Sequence, residues 1–145
     1  MGTYDPKTEV IRIYDPATLT EVVSAESFLG RLPAEQLFSS LIVHELSHAF
    51  LKQTAGENGR CLVDHEYTAY ALQLSWVDAQ ESGTVDRILG NLKDADASYL
   101  NEFIALAAPG LFAKAVWEHF DAPENGCRFI GRLVTGEETL YRAFD

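Results

Sequence analysis

The segment that decides the fold spans residues 33–53 and reads PAEQLFSSLIVHELSHAFLKQ. Pro33 is a favoured first helical residue, and apolar or histidine side chains follow it at steps of three to four residues, which predicts a helix to about Gln53. The recurring positions are Leu37, Leu41, His44 and His48. The other faces are also apolar, at Ile42, Val43, Leu46, Ala49 and Phe50. Because an amphipathic surface helix needs a polar face, we expect this helix to lie in the middle of its domain.

The segments near this helix predict a little sheet followed by a turn. Residues 9–14 alternate and are rich in β-branched side chains, which predicts a strand. Residues 18–28 fit either a second strand or a short helix. Residues 54–60 contain two glycines and an asparagine, which predicts a turn directly after the long helix.

Further helices are predicted behind this turn. Asp64 is a suitable N-cap for a helix through Trp76. Residues 82–92 predict a short helix. Residues 99–120 predict a longer helical region that is divided where Pro109 and Gly110 interrupt it, since proline breaks the helical hydrogen-bond ladder.

The end of the chain carries a capping-box pattern. Thr135 is followed three residues later by Glu138, which predicts a final helix over residues 137–144. No internal repeat or linker composition divides the sequence. We therefore predict an α+β fold that is predominantly α, with residues 1–145 forming one domain.

Charge and hydropathy exclude several classes of partner. Eleven basic residues against 22 acidic ones leave a formal net charge of −11. Because affinity for nucleic acid depends on a basic surface, nucleic acid is excluded as a partner. The longest uncharged apolar stretch, residues 103–113, is far shorter than the roughly 20 residues that a membrane helix needs. We predict no membrane span.

The two cysteines, Cys61 and Cys127, leave two interpretations open. They fit one disulfide in an exported or periplasmic protein, or two free buried thiols in a cytoplasmic one. The pair inclines the interpretation towards export, with a leader absent from this sequence, and a cytoplasmic location is the alternative.

The motif with the clearest chemistry is His44-Glu45-Leu46-Ser47-His48, an H-E-x-x-H pattern. On a helix, residues four apart lie on one face, so both imidazoles can bind the same ion. Zn²⁺ suits such a site because neutral imidazole is a good zinc ligand. Glu45 is the expected general base towards a water molecule at the metal. The alternative is that both histidines are ordinary core or surface residues.

A catalytic zinc site needs a third protein ligand. The extended pattern H-E-x-x-H-x-x-G-x-x-H is excluded because Leu51 and Thr54 stand at its glycine and final histidine positions. The remaining dense group of potential ligands is Asp64-His65-Glu66, at the start of the next helix. We prefer Glu66 because Asp64 is better used as the N-cap, and His65 is the rival ligand.

These residues resemble a known family. The pattern HELSH at 44–48, followed after a short connection by EYTAY at 66–70, is similar to the gluzincin clan of zinc metallopeptidases. The resemblance covers residues 33–76, and H-E-x-x-H is its specific part. It implies a zincin-like fold with a central H-E-x-x-H helix, an antiparallel helix bearing the third ligand, and a strand edge that binds extended peptide.

The same resemblance implies roles for individual residues. His44, His48 and Glu66 would be the zinc ligands and Glu45 the base in hydrolysis of a peptide or protein substrate. Several gluzincins have an acidic residue four positions after the ligand glutamate, where this chain has Tyr70. This departure leaves open a metal-binding scaffold or interaction domain without catalysis as the alternative function.

An enzyme that attacks a carbonyl also needs a donor for the developing oxyanion. Tyr67, Tyr70 and His119 are the residues that we consider, with Tyr70 and His119 preferred. Each can equally be a packed aromatic side chain or an exposed histidine.

Overall fold

The structure is a computed structural model, and it describes residues 1–56 and 60–140. Two short strands come first, and helices follow. The strands are β1 (Gly2–Asp5) and β2 (Val10–Ile13). The helices are α1 (Pro16–Val22), α2 (Ala34–Thr54), α3 (Leu62–Gln80), α4 (Thr84–Leu89), α5 (Glu102–Ala107), α6 (Pro109–Asp121) and α7 (Gly126–Thr135). The predicted class, α+β and predominantly α, is confirmed.

The strands form an antiparallel hairpin in which Gly2 lies opposite Ile13. The Asp5 carboxylate accepts hydrogen bonds from Lys7 N and Thr8 Oγ1, which holds the turn between the strands. The strand predicted over residues 9–14 is therefore confirmed as β2, and β1 is an additional strand. The hairpin packs on α2, which brings β1 next to the H-E-x-x-H motif.

The ambiguous segment over residues 18–28 is helical in its first part, where α1 ends at Val22, and residues 23–28 are neither strand nor helix. Asp15 caps α1, since its carboxylate accepts hydrogen bonds from Ala17 N and Thr18 N. Pro16 occupies the first helical position, where its missing N–H leaves no hydrogen bond unmade. Local capping chemistry thus decides between strand and helix here.

Helices α2 and α3 are antiparallel neighbours. Gln73 of α3 contacts Ser40 and His44 of α2, whereas Glu66, two turns earlier in α3, lies beside His48, one turn later in α2. Successive turns of α2 therefore contact successive turns of α3 in the opposite order, across one interface between the two helices. Of the predicted turn over residues 54–60, residues 57–59 lie outside the described ranges.

The core consists of two clusters, and α3 contributes to both. One cluster packs α1, α2 and α4 against α3, and its members include Leu19, Leu37, Leu41, Leu74, Val77, Val85 and Ile88. The other packs α6 and α7 against α3, and its members include Val63, Tyr67, Ala71, Phe112, Val116, Phe129 and Leu133. Helix α3 therefore packs against both clusters, and this packing fixes its position and rotation relative to the other helices.

The prediction that α2 is buried on every face is wrong. Leu46 and Phe50 are 52% and 43% exposed. Both lie one helical turn apart on a face that no other described element covers, while Leu37, Leu41 and Leu51 are buried. The sequence of α2 alone does not reveal this, since the exposed face is as apolar as the buried ones.

The predicted division of residues 99–120 is confirmed, since α5 ends at Ala107 and α6 begins at Pro109. The short helix predicted over residues 82–92 is present as the shorter α4.

The predicted helix over residues 137–144 is wrong over its described part, since residues 137–140 are not helical, and residues 141–144 lie outside the described ranges. Thr135 ends α7, and Gly136 takes the left-handed conformation (φ 79°) that terminates a helix. Glu138 N then donates to Arg132 O, as in a helix C-cap.

Asp64 is not the N-cap of α3, which begins at Leu62 with Cys61 as the cap residue. The Asp64 carboxylate is fully buried and instead accepts hydrogen bonds from Thr139 Oγ1 (2.9 Å) and Leu140 N (2.7 Å). It therefore ties the segment after α7 to the start of α3.

Cys61 and Cys127 are both free thiols in the structure. The two thiols are not bridged, and they are not both buried, since Cys61 is half-buried and Cys127 is exposed.

Among the helices in the described ranges, none is long and apolar enough to cross a membrane.

Candidate metal centre

The antiparallel pairing of α2 and α3 brings His44, His48 and Glu66 together. His44 Nε2 lies 3.7 Å from Glu66 Oε2, and His48 Nε2 lies 3.6 Å from Glu66 Oε1. One donor atom from each of the three residues lies within 4.8 Å of the others. Donor atoms about 2.0–2.2 Å from a tetrahedral Zn²⁺ are roughly 3.4 Å apart, so the three side chains are close to the arrangement that a metal ion requires.

The surroundings set the charge of these ligands. Burial lowers the pKa of His44 to about 4, partly opposed by its hydrogen bond to Gln73. Burial lowers the pKa of His48 to about 3, with smaller effects from His44 and His65. Both imidazoles are therefore neutral at physiological pH, which is the form that binds a metal ion.

Glu66 has the opposite property. Burial, and then the negative charge of Glu45, raise its pKa to about 7. Two carboxylates in one partly dry cavity repel each other, and a cation between the imidazoles and Glu66 relieves that repulsion. The donor set and its electrostatics therefore fit a divalent metal ion.

A hydrogen-bond chain behind His44 fixes the orientation of its ring. Gln73 is fully buried, and its Oε1 lies 2.9 Å from His44 Nδ1. Gln73 Nε2 donates to Ser40 Oγ, which itself donates to Leu37 O. The amide nitrogen is thus committed to Ser40, so the amide oxygen must accept from His44 Nδ1–H. This tautomer leaves the lone pair on His44 Nε2, the atom that faces Glu66.

The side chain of Glu45 lies under β1. It is 5% exposed, and a Cβ on Gly2 would lie only 2.7 Å from Glu45 Oε1, so a larger residue at that position would displace the Glu45 side chain. Burial raises the pKa of Glu45, while the chain's amino group and the backbone N–H of Tyr4 act in the other direction. Glu45 is therefore a carboxylate of increased basicity beside the metal ligands.

The fold and this geometry can be set against known families. A family model described as "Family of unknown function (DUF6639)" matches residues 1–143. The chain belongs to this family. No curated protein and no solved structure matches the chain.

In this family member, a cavity of about 550 Å³ opens onto the three candidate metal ligands. One wall is β1, with Gly2, Thr3 and Tyr4, and the opposite wall carries the three ligands together with Glu45. The Tyr4 hydroxyl is buried and, within residues 1–56 and 60–140, has no hydrogen-bond partner. The cavity is large enough for a small peptide segment or a comparable ligand.

The residues weighed from the sequence lie at different distances from this centre. Tyr70 is close: its ring packs edge-on against His44 with centroids 4.8 Å apart, and burial followed by the charges of Glu66 and Glu45 raises its pKa. His65 lines the cavity but is outside the ligand group, with its ring centroid 5.8 Å from that of His48.

The structure does not bring His119 or Tyr67 to the cavity. Tyr67 is fully buried between α3 and α6, and its hydroxyl lies 2.7 Å from His119 Nδ1. The His119 ring also packs edge-on against Phe129. This pair joins α3 to α6, and both of its rings pack against Phe129 of α7.

Sequence reasoning missed the hydrogen bond from His44 to Gln73 and the packing of β1 over Glu45. A weak signal for Gln73 exists, because it lies two helical turns after Glu66 and so shares its face of α3. Gly2 and Tyr4 carry no such signal. Their role depends on how the hairpin packs on α2.

Gln73→Leu should weaken zinc binding about 10- to 100-fold, the usual cost of losing the partner of a ligating histidine. The substitution keeps the volume of the side chain but frees the His44 ring to rotate and to change tautomer. Zinc affinity, measured by competition with a chromophoric chelator, is the readout.

Ser40→Ala is the matched control, because it removes the far end of the same chain but leaves the Gln73–His44 contact in place. It should reduce affinity much less. Equal affinity in wild type and Gln73→Leu would contradict the positioning role of Gln73.

Proposed function

We propose that this protein is a zinc-dependent metallopeptidase. The observation that carries the proposal is the position of Glu45, a buried carboxylate of raised pKa on the same cavity wall as His44, His48 and Glu66. Two neutral imidazoles and one carboxylate are a donor set typical of catalytic zinc sites, and the resemblance to gluzincins supports the same assignment. Iron(II) also binds two histidines and a carboxylate, which makes metal analysis part of the test.

When bound, a zinc ion would supply Lewis acidity, which polarises a carbonyl and lowers the pKa of water. Glu45 would take the proton of the attacking water and deliver it to the leaving amine. The raised pKa of Glu45 favours this role, since proton transfer is most effective when the pKa of the base lies near the working pH.

Tyr70 is the proposed donor to the oxyanion. Its pKa is raised by burial and by Glu66 and Glu45, so the phenol stays protonated and can donate a hydrogen bond. The contact of its ring with His44, at 4.8 Å between centroids, supports a position of the hydroxyl near the ligand group.

An extended peptide can enter between β1 and the ligands. Tyr14 N donates to Met1 O across the hairpin, so the alternate residues Gly2 and Tyr4 direct their backbone groups away from β2. That edge of β1 borders the cavity. Because the Tyr4 N–H already donates to Glu45, a substrate backbone would pair with the other groups of this edge.

A metal-binding protein without turnover is the second candidate. The low exposure of Glu45 under β1 favours it, because a general base must be reached by water and substrate. In that case the same residues would hold a metal ion for a structural or binding purpose.

The deciding experiment treats metal-analysed protein with a panel of unstructured proteins. We expect one zinc per chain and cleavage that stops with a chelator and returns with added zinc. A full complement of zinc with no cleavage of any protein would favour the second candidate, and the absence of bound metal would contradict both.

A further inference from the structure

A row of four rings lies along the junction of α2 and α3. The ring centroids of Tyr70 and His44 are 4.8 Å apart, and those of His44 and His48 are 4.9 Å apart. The His65 ring follows, with its centroid 5.8 Å from that of His48. The two middle rings belong to candidate metal ligands. Because α2 and α3 are antiparallel, Tyr70 and His65 lie at opposite ends of the ligand group.

The ring of His65 has hydrogen-bonding groups that the fold does not use. His65 is a half-buried residue on the wall of the large cavity. Its ring nitrogens make no hydrogen bond or ion pair with residues 1–56 and 60–140. In either protonation state an imidazole carries at least one N–H donor. His65 can therefore donate to a ligand in the cavity without giving up a bond within the described fold.

The cavity is long enough for several residues of an extended peptide. His44 and Lys52 of α2 both line it, and an α-helix rises about 12 Å between these positions. The facing wall is β1. An extended chain advances about 3.3 Å per residue, so at least three residues fit along this length.

The spacing along α3 matches the repeat of such a chain. Tyr70 follows His65 by five residues, which is about 7.5 Å along the helix axis. In an extended chain, carbonyl groups two residues apart point to the same side and lie about 6.8 Å apart. A peptide whose attacked carbonyl lies at Tyr70 therefore presents a second carbonyl near His65.

We infer that His65 donates a hydrogen bond to the backbone carbonyl oxygen of the substrate two residues away from the carbonyl that is attacked. This inference rests on the proposed peptidase function, with Tyr70 as the donor to the oxyanion, and specifies the substrate class. The substrate is an extended oligopeptide with at least two further residues on the side that His65 binds.

The test compares the hydrolysis of blocked peptides by the zinc-loaded wild type and His65→Phe, which keeps a ring but has no donor. The parent peptide has three residues on each side of a bond that the wild type cleaves, with an acetylated N-terminus and an amidated C-terminus. One shorter peptide keeps a single residue on the N-terminal side of that bond, and the other keeps a single residue on the C-terminal side.

For the parent peptide, kcat/KM should be about threefold to tenfold lower in His65→Phe, as expected for the loss of one hydrogen bond. For one of the two shorter peptides, which lacks the second carbonyl, it should change by less than about twofold. The shorter peptide that behaves in this way identifies the side of the substrate that His65 binds.

Two variants control for a merely structural effect. His65→Gln keeps a side-chain N–H donor and should retain most of the kcat/KM for the parent peptide. His119→Phe makes the same substitution as His65→Phe outside the cavity, so any loss that it causes should be equal for all three peptides. Zinc content and melting temperature, measured on each variant, show that it is folded and metal-loaded.

An equal loss for all three peptides in His65→Phe, or no loss for the parent peptide, would overturn this inference and leave the peptidase function standing. If the wild type cleaves no peptide, fluorescence anisotropy measures the binding of labelled peptides from one unstructured protein to the same zinc-loaded variants. Affinity that falls in His65→Phe and is kept in His119→Phe would support a peptide contact at His65 and contradict the peptidase function. Equal affinities in the two variants, or no binding, would overturn both.

Discussion

Glu45→Gln should lower the rate of peptide hydrolysis about 10²- to 10⁴-fold and leave the zinc content at one per chain, the usual loss on removal of a general base. The substitution keeps the size of the side chain and an oxygen that can accept from Tyr4 N–H, so the packing under β1 is retained. It removes only the ability to take up a proton. Zinc analysis and hydrolysis of one peptide, measured on the same preparation, separate loss of chemistry from loss of metal.

Glu35→Gln is the control for this change. Glu35 is exposed in the first turn of the same helix, far along α2 from the motif, and its neutralisation changes net charge equally. It should leave the rate within about twofold, as expected of a surface substitution. Activity above about one tenth of wild type in Glu45→Gln would contradict the proposed role of Glu45, whatever the zinc content.

The metal ligands themselves are accessible to sequence reasoning because their spacing is local. His44 and His48 lie one turn apart in any helix, and the apolar repeat predicts that helix independently. The choice of Glu66 over His65 depends on which face of α3 packs on α2, and the N-cap argument that led to it is wrong because Asp64 is not the N-cap. Residues 65 and 66 differ by about 100° around α3, so one of them faces α2 and the other turns towards the rim of the cavity.

The rest of the site depends on how elements pack, which a single sequence does not contain. The hydrogen bond from His44 to Gln73 depends on how α2 and α3 are aligned along each other over two turns. The cover over Glu45 requires the hairpin to pack on α2 with Gly2 at the point of contact. Neither follows from local propensity.

In the C-terminal part, a local sequence pattern gives a wrong prediction because a tertiary contact decides the structure. Thr135 and Glu138 fit a capping box, but the chain around them ends α7 at Gly136 and then runs to the buried Asp64 carboxylate. Two hydrogen bonds to the buried Asp64 carboxyl group hold the chain in this position. The same contact removes Asp64 from the role of N-cap.

Zinc should raise the melting temperature of the wild type by about 10 °C or more, and Glu66→Gln should abolish this increase. Free zinc at 1,000 times its dissociation constant stabilises the folded state by about 4 kcal/mol, and for a domain of this size each kcal/mol shifts the melting temperature by about 3–5 °C. Differential scanning calorimetry with and without zinc is the measurement. His65→Gln is the control, and it should keep the zinc effect, because His65 is not in the ligand group.

Without metal, we expect Glu66→Gln to be at least as stable as the wild type at neutral pH. Burial and Glu45 raise the pKa of Glu66 from 4.5 to about 7 in the folded state. The folded state therefore holds a proton on Glu66 that the unfolded chain releases, so ionisation of Glu66 reduces stability as the pH rises from 4.5 to 7, and the full penalty is present above 7. Metal-free Glu66→Gln should then be at least as stable as metal-free wild type at pH 7.5, with the difference vanishing below pH 4.5. In the calorimetry with zinc, an increase in melting temperature that is lost in His65→Gln and kept in Glu66→Gln would show that the third ligand is His65. A wild type with the same melting temperature with and without zinc would contradict a metal centre between α2 and α3.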